Sequence, residues 1–218
     1  MSVRLFVDVD LKNDVKIDLI DNQHHYLTHV MRRKTGDNVS LFNGRDGEWN
    51  AVIAEISKKK TQLTVLENTR LQTEENLSDV WLCFAPIKKD NMEFVVQKAT
   101  ELGISVLQPV ITRRTVVGKV NVDKMRLQAI EAAEQCERLS IPLIKDAITL
   151  DNLLKNIDSG RRLYFLDERG DGQKLSVENK VAYLVGPEGG FDADELKKMR
   201  SLRTTHVIMW MNIIIPHL

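Results

Sequence analysis

Hydrophobic and polar positions alternate over much of residues 3–70, as they do in short, half-buried strands. The segments RLFVDV, NVSLFNG, EWNAVIAEI and TQLTVLE either alternate or are rich in β-branched side chains, and polar turns such as NGRDGE and SKKK separate them. One stretch with helical spacing, NQHHYLTHVMRR, interrupts the strands. This pattern predicts a compact β-barrel-like domain over residues 1–75.

The pattern changes after the polar stretch LQTEENLSD, which we interpret as a linker. VWLCFAPI, ISVLQPV, RLYFLD and VAYLVG are predicted strands, and the predicted helices are KDNMEFVVQKATELG, VDKMRLQAIEAAEQCERL, LDNLLKNI and DADELKKMRSL. Strands that alternate with helices usually form a mostly parallel sheet with helices on both faces. We therefore predict an α/β domain over residues 76–218.

Composition is that of an ordinary soluble globular protein, with 43% hydrophobic and 28% charged residues in a chain of 218. No apolar run reaches the length needed to span a bilayer, and the N-terminal MSVRLFVDVD has no apolar signal core, so we expect a cytoplasmic protein without membrane association. Cys83 and Cys136 are far apart in the sequence, which fits a reducing compartment.

The net charge is zero, so any nucleic-acid partner must be recognised by local clusters of basic residues. Three clusters are present: Arg32–Lys34, Lys58–Lys60, and Arg113-Arg114 with Lys119 nearby. Each of them is also compatible with ordinary solvated surface charge.

The stretch LVGPEGGFDADE, residues 184–195, places three glycines between a predicted strand and a predicted helix. Asp192 and Glu195 have the spacing of a helix N-cap and its reciprocal partner. The loop therefore follows the carboxyl end of a strand, where open α/β sheets bind ligands. It lacks the Walker A and dinucleotide-binding patterns, and Glu188 would repel a pyrophosphate. A neutral or cationic ligand such as S-adenosylmethionine suits it better, and a tight turn without a ligand is the alternative.

Several further segments occur in a characteristic order: RLFV at 4–7, HHYLTHVMRRKTGDNVSLFNG at 24–44, KATELGI at 98–104, TRRTV at 112–116 and AAEQCERLSIP at 132–142. Together with GPEGGF at 186–191, this order resembles the RsmE-type 16S ribosomal RNA uridine N3-methyltransferases of the SPOUT superfamily. The resemblance covers residues 3–205 and makes an unrelated α/β ligand-binding protein a poor alternative.

The resemblance implies a PUA-like RNA-binding β-barrel followed by a SPOUT-type α/β domain with a trefoil knot. It implies S-adenosylmethionine as the cofactor, 16S ribosomal RNA within the small ribosomal subunit as the substrate, and a homodimer. The expected reaction is N3-methylation of a specific uridine, in which the N3 proton is removed and a cation stabilises the uracil anion.

The resemblance also assigns residues. Arg138 and Glu101 are the candidate catalytic residues, although a helix salt bridge such as that between Lys98 and Glu101 is an alternative for each. The predicted cofactor-binding residues are Leu166, Asp167, Leu184, Val185, Gly186, Pro187, Glu188, Gly189 and Gly190. The predicted RNA contacts are Arg4, His25, Arg32, Arg33, Arg113 and Arg114.

We predict no metal site. His25 and His29 are four residues apart, but no glutamate follows the first histidine and no third ligand is evident.

The C-terminal segment TTHVIMWMNIIIPHL begins like the next strand of the family and then departs from its pattern, which continues with a Leu-Gly loop and a closing helix. Pro216 opposes a helix at this point. Because that loop would form part of the cofactor pocket, an RNA-binding family member with impaired catalysis is the alternative to an active enzyme.

Overall fold

A computed structural model describes residues 3–75, 78–166, 180–202 and 205–208. The chain forms two compact units, Met1–Asn76 with Ala133–Ile141, and Leu77–Ala132 with Pro142–Leu218. The sequence pattern predicted a single change of domain near residue 75 and gave no indication that residues 133–141 belong with the first unit.

The first unit is built on a five-stranded mixed sheet in the order β1-β3-β4-β5-β2. The strands β1 and β3 are parallel and the other neighbours are antiparallel. A helix and a π-helical turn, Tyr26–Val30, follow β2. The elements are β1 (Val3–Phe6), β2 (Lys16–Ile20), α1 (Asp21–His25), β3 (Asn38–Phe42), β4 (Glu48–Ile56) and β5 (Lys60–Arg70).

Alternation along these strands produces the core of the first unit. In β5, Thr61, Leu63 and Val65 are fully buried while the intervening side chains are partly exposed. Gly47, in the turn between β3 and β4, has a φ of 82°, and an added Cβ would lie 2.2 Å from the carbonyl oxygen of Arg70. A glycine is therefore required in this turn.

Arg4 joins the segment 133–141 to the sheet of the first unit. Its guanidinium donates to the carbonyl oxygens of Ala133 at 2.7 Å and Arg138 at 2.6 Å, and to Glu48 Oε2 at 3.1 Å. It also lies 3.7 Å from the centre of the Phe42 ring, and only 8% of the side chain is exposed. Arg4 therefore has a structural role, and the RNA contact expected of it stays a prediction.

Further hydrogen bonds fix the same segment. The main-chain N–H of Phe6 donates to Glu134 Oε1 at 2.9 Å, and Arg70 donates to the carbonyl oxygen of Glu137 at 3.0 Å. Glu137 has a φ of 61°, which is incompatible with continuation of a helix. The helix predicted to reach residue 139 therefore ends earlier, and the residues after it form a turn against the sheet.

The second unit contains a parallel sheet in the order β12-β10-β11-β6-β7-β8, with β9 paired to the end of β7. Its elements are β6 (Asp79–Phe84), α2 (Lys89–Glu101), β7 (Val106–Ile111), α3 (Val122–Gln135), β8 (Leu143–Ile144), β9 (Ile148–Thr149), α4 (Leu150–Asn156), β10 (Arg162–Leu166), β11 (Lys180–Val185), α5 (Ala193–Ser201) and β12 (Thr205–Ile208). The last residues of α3, from Ala133, belong to the first unit.

Helices cover both faces of this sheet. On one face Leu153 of α4 and Met199 of α5 pack with Phe165 and Leu184, and on the other Val96 of α2 and residues of α3 pack with Leu107. Because both faces of the sheet are buried, the strand sequences are nearly continuous hydrophobic runs, as in other parallel sheets. The predicted parallel α/β domain is confirmed. Within the described chain, no helix has the length and apolar character needed to cross a membrane.

We predict that Arg4→Ala lowers the free energy of unfolding by about 3 kcal/mol, because it removes two bonds to main-chain carbonyls and leaves the buried Glu48 with Arg70, at 3.3 Å, as its remaining cation. Chemical denaturation would measure the change. Arg45→Ala is the matched control, since Arg45 pairs with the exposed Asp8 and Asp10 and its loss should cost less than about 1 kcal/mol. Equal losses in the two variants would contradict a special role for Arg4.

Candidate functional site

The carboxyl ends of β6, β7, β10 and β11 meet at one edge of the parallel sheet. Three described loops leave this edge, residues 85–88, 112–121 and 186–192. This is the position where open α/β sheets bind ligands. β10 ends at Leu166, whose main chain pairs with Ile208 of β12. Asp167, predicted to contact the cofactor, lies outside the described residues.

The glycine loop 186–190 is closed by a hydrogen bond from Gly190 N to the carbonyl oxygen of Pro187 at 2.8 Å, and Gly190 has a φ of 66°. An added Cβ on Gly186 would lie 2.9 Å from the ring of Phe191. That ring packs edge-on against Phe165, with 6.3 Å between the ring centres. Gly190 therefore turns the chain at the end of the loop, and the ring of the next residue, Phe191, packs back against Gly186 at its start.

The predicted N-cap of α5 is confirmed. Asp192 Oδ1 accepts from Glu195 N at 2.8 Å, and Glu195 Oε2 accepts from Asp192 N at 3.0 Å. The bond from Glu195 N and the guanidinium of Arg113 lower the pKa of the Asp192 carboxyl. The cap therefore stays ionised at neutral pH, and it fixes the point where the glycine loop enters the helix.

Arg113 connects the end of β7 to this first helical turn. Its guanidinium donates to Asp192 and to Asp194, both at 2.7 Å, and its main-chain N–H donates to Glu195 Oε1 at 2.9 Å. The two carboxylates, Asp194 first, raise the pKa of Arg113. Because the side chain is 61% exposed, water screens its ion pairs and they contribute little to stability. The bond to the buried Glu195 contributes more, about 1.5–3 kcal/mol.

Arg114 contacts the glycine loop itself. Its Nη1 donates to the carbonyl oxygen of Gly189 at 2.7 Å. Glu188 and Gly189 are exposed, and they line a small cleft of about 50 Å³. Pro187 of the same loop also lines the cleft, which is completed by residues of the two neighbouring loops, namely Pro86, Ile87, Lys88, Arg114, Val116 and Val117. Main chain with no Cβ at Gly189 therefore faces an open space at the edge of the sheet.

Two groups of residues that line the cleft were not among the predicted site residues, namely Pro86, Ile87 and Lys88 after β6 and Val116 and Val117 before α3. A signal for the first group was available, since Ile87 and Lys88 directly follow a buried strand that Pro86 closes. In a parallel sheet such residues lie at the same edge as the loop after β11. The same signal was available for Val116 and Val117, since their loop follows the predicted strand ISVLQPV.

The predicted RNA contacts lie in different surroundings. Arg113 and Arg114 are exposed and bound to the loop and cap, whereas Arg32 is exposed with a φ of 51° and Arg33 is half-buried. His25 is exposed and stacks on His29, with 4.7 Å between ring centres. These assignments stay predictions. Among the described residues, no group of three or more His, Cys, Asp or Glu side chains could hold a metal ion.

Glu101, one predicted catalytic residue, is exposed at the end of α2. It accepts hydrogen bonds from Lys98 at 2.6 Å and from Gln97 at 2.8 Å. These partners, Lys98 first, lower the pKa of the Glu101 carboxyl, which makes it a weaker proton acceptor. The local geometry is that of a helix salt bridge, the alternative expected from the spacing.

Arg138, the other predicted catalytic residue, belongs to the first unit. Its Nε lies 3.5 Å from Glu75 Oε1, and its side chain is 9% exposed. Burial lowers the pKa of Arg138, and the charge of Glu75 opposes that effect. The same carboxylate oxygen of Glu75 accepts from Leu139 N at 3.1 Å. Arg138 therefore has a structural ion pair, and its catalytic role stays a prediction.

Comparisons with known protein families define the class of protein. The family described as RNA methyltransferase domain matches residues 73–214, and the family described as RNA methyltransferase PUA domain matches residues 19–66. The chain is thus an RNA methyltransferase of the PUA-containing class.

Similar sequences identify the particular family. A ribosomal RNA small subunit methyltransferase E from Rickettsia conorii is 35% identical over 212 residues, which cover 94% of this chain and 86% of the relative. One from Synechocystis is 31% identical over 206 residues, covering 90% of this chain and 67% of the relative. The chain belongs to the ribosomal RNA small subunit methyltransferase E family, and the resemblance drawn from its sequence motifs is confirmed.

Solved structures support the fold. A ribosomal RNA small subunit methyltransferase E from Neisseria gonorrhoeae, bound to S-adenosylmethionine, has a TM-score of 0.86 and 23% identity, with 97% of this chain and 90% of that chain covered. A methyltransferase from Legionella pneumophila, in complex with the same cofactor, has a TM-score of 0.84 and 23% identity, with 96% and 89% covered. The cofactor in both agrees with the one expected from the resemblance. The trefoil knot stays a prediction, because the chain after Ile208 lies outside the described residues.

We predict that Gly186→Ala destabilises the protein by about 1–3 kcal/mol, because the new methyl group must displace the Phe191 ring from its site against Phe165. Gly189→Ala is the matched control. Its Cβ would lie 3.7 Å from Arg114 Cδ, an ordinary contact, so stability should change by less than about 0.5 kcal/mol. Thermal unfolding of both variants would test this, and equal stabilities would show that the loop yields at Gly186.

We also predict that Arg138→Gln lowers the free energy of unfolding by about 3 kcal/mol, because it leaves Glu75 buried without a cation. Denaturation measures this effect, and the methylation rate per folded molecule tests the separate catalytic prediction. A purely structural Arg138 would leave that rate unchanged under stabilising conditions. A large loss of rate with unchanged stability would instead support a role in the reaction.

Proposed function

We propose that this protein transfers the methyl group of S-adenosylmethionine to N3 of a specific uridine in 16S ribosomal RNA. The observation that carries the proposal is the glycine loop at the carboxyl end of β11, in a chain of the ribosomal RNA small subunit methyltransferase E family. Gly189 in this loop is exposed and has no Cβ, which lets a flat ligand approach its main chain closely.

The cofactor would lie against residues 186–190 with Leu166 and Asp167 as further contacts. The side chain of Leu184 is buried in the core, and the carbonyl oxygen of Val185 accepts from Ala85 N at 2.9 Å. These two residues therefore support the loop from the strand, while the residues after them offer accessible main chain. When bound, the cofactor would supply the electrophilic methyl group, and the carboxylate of Glu188 suits its positive charge.

The substrate must lose its N3 proton before or during attack on the methyl group. We retain Glu101 as the proposed proton acceptor and Arg138 as the proposed cation that stabilises the uracil anion. Arg114 is a second candidate for the latter role, because its guanidinium is bound at the glycine loop itself.

Recognition of the RNA would rest on phosphate contacts from the basic clusters of the first unit. Arg32, Lys58 and Lys59 are exposed, whereas Lys60 pairs with Asp18 at 2.7 Å. Phosphate contacts set affinity and register, so binding should weaken steeply as salt rises. A homodimer and a cytoplasmic location complete the proposal, and sedimentation of the purified chain tests the former.

The direct experiment is methylation of small ribosomal subunits by the purified chain with labelled S-adenosylmethionine. Mass spectrometry of the digested RNA should show N3-methyluridine at one position. Binding of subunits without methyl transfer would instead support an RNA-binding family member with impaired catalysis. Methylation at another atom or in the large subunit would overturn the proposed reaction.

We predict that Gly189→Val weakens S-adenosylmethionine binding by at least about 30-fold, because the branched side chain fills the cleft and prevents about two hydrogen bonds of roughly 1 kcal/mol each. Calorimetric titration would measure the affinity. Gly160→Val is the control, since Gly160 precedes the amino end of β10 and its Cβ would make only an ordinary contact with Asp158, at 3.6 Å. Wild-type affinity in a folded Gly189→Val variant would remove this loop from the cofactor site.

A further inference from the structure

A second and larger cavity, of about 260 Å³, lies in the second unit between α2, α3 and the loop that joins β7 to α3. A cavity of about 150 Å³ accommodates a benzene ring, so this one is large enough for a nucleobase. Its walls are formed by Pro86, Ile87, Met92, Glu93, Val117, Lys119, Val120, Asn121, Lys124, Met125 and Gln128.

This cavity adjoins the cleft at the glycine loop. Pro86, Ile87 and Val117 line both spaces. A molecule in the larger cavity would therefore lie beside whatever occupies the cleft.

The walls have the chemistry of a site for a flat, partly polar ring. Met92, Val120 and Met125 provide an apolar surface, and the thioethers of methionine make favourable contacts with aromatic rings. The carboxamide of Gln128 is half-buried in the wall, and it has no hydrogen-bond partner among the residues that the structure describes. A carboxamide offers both a donor and an acceptor, as the edge of a pyrimidine does.

Charged groups lie where a nucleotide's phosphates would need them. Lys119 lines the cavity and Lys88 lines the adjoining cleft, and both are exposed. Lys124 forms an ion pair with Glu93, which links α3 to α2 across the wall. An apolar interior with cations at its edge fits a single nucleotide better than it fits an apolar peptide or a lipid chain.

We propose that this cavity receives the pyrimidine base of the RNA substrate, turned out of its stack, with Gln128 bonded to the edge of the base. The proposal rests on the proposed function. N3 lies on the pairing edge, so a cofactor can reach it only when the base is unpaired, and a base inside the cavity would also have left its stack. Enzymes that modify bases bind such extruded bases between apolar side chains and read their edges by hydrogen bonds.

The experiment is a titration of the full chain, carrying ¹³C-labelled methionine methyl groups, with uridine 5′-monophosphate. Ring currents should shift the signals of Met92 and Met125, which conservative leucine variants would assign, and leave that of Met199, buried beneath α5, unchanged. Gln128→Leu should weaken binding about fivefold, as expected for the loss of one hydrogen bond. Gln128→Trp should abolish binding by filling the cavity.

Gln62→Leu, the same chemical change on the sheet of the first unit, is the control and should bind like the wild type. The proposal is overturned if the nucleotide leaves Met92 and Met125 unshifted, or if Gln128→Trp binds it normally. It is also overturned if S-adenosylmethionine, and not the nucleotide, shifts these two signals, because the cavity would then belong to the cofactor.

Failure of the proposed function gives a different pattern. Nucleotide binding in the cavity of a wild-type chain that does not bind S-adenosylmethionine would support the base site and contradict the methyltransferase reaction. Methyl transfer at an equal rate by the wild type and by Gln128→Trp would support the reaction and contradict the base site.

Discussion

Arg113 links two parts of the chain that are distant in sequence, the end of β7 and the first turn of α5. Its main-chain N–H and its guanidinium together engage Glu195, Asp192 and Asp194. Because the next residue, Arg114, then reaches the carbonyl oxygen of Gly189, the same short segment determines where the glycine loop lies. Two of the three loops that line the cleft are held together in this way, and the third, residues 85–88, follows β6.

Local signals in the sequence predicted those parts of the fold that depend on near neighbours. The cap of α5 follows from the spacing of Asp192 and Glu195, and the ligand edge follows from the alternation of strands and helices. β2 was missed although Ile17 and Leu19 are buried in alternation, because a strand of five residues between polar segments gives a weak pattern. Gly190, and not Gly189, has a left-handed φ. The positions of the three glycines in the sequence do not show which of them adopts it.

The role of the segment 133–141 could not be predicted for a different reason. Arginines are usually exposed, and the burial of Arg4 and Arg138 follows only from partners that are distant in the sequence, such as Ala133 for Arg4 and Glu75 for Arg138. The resemblance gave both of them roles toward the substrate, and those roles stay predictions. Their contacts in this structure hold the end of α3 and the following turn against the sheet of the first unit.

The charges at the glycine loop indicate which kind of ligand tolerates the carboxylate of Glu188 among the glycines. Glu188 places a negative charge at the rim of the cleft, and the guanidinium of Arg114 lies at the carbonyl of the next residue. A polyphosphate would meet the carboxylate unfavourably, whereas a zwitterionic ligand with a sulfonium, an ammonium and a carboxylate has a partner for each sign. Both side chains are exposed, so each interaction with a ligand is weak until the ligand excludes water. The selectivity of the cleft therefore depends less on either charge than on close contact between a flat ligand and the main chain. The absence of a Cβ at Gly189 permits that contact.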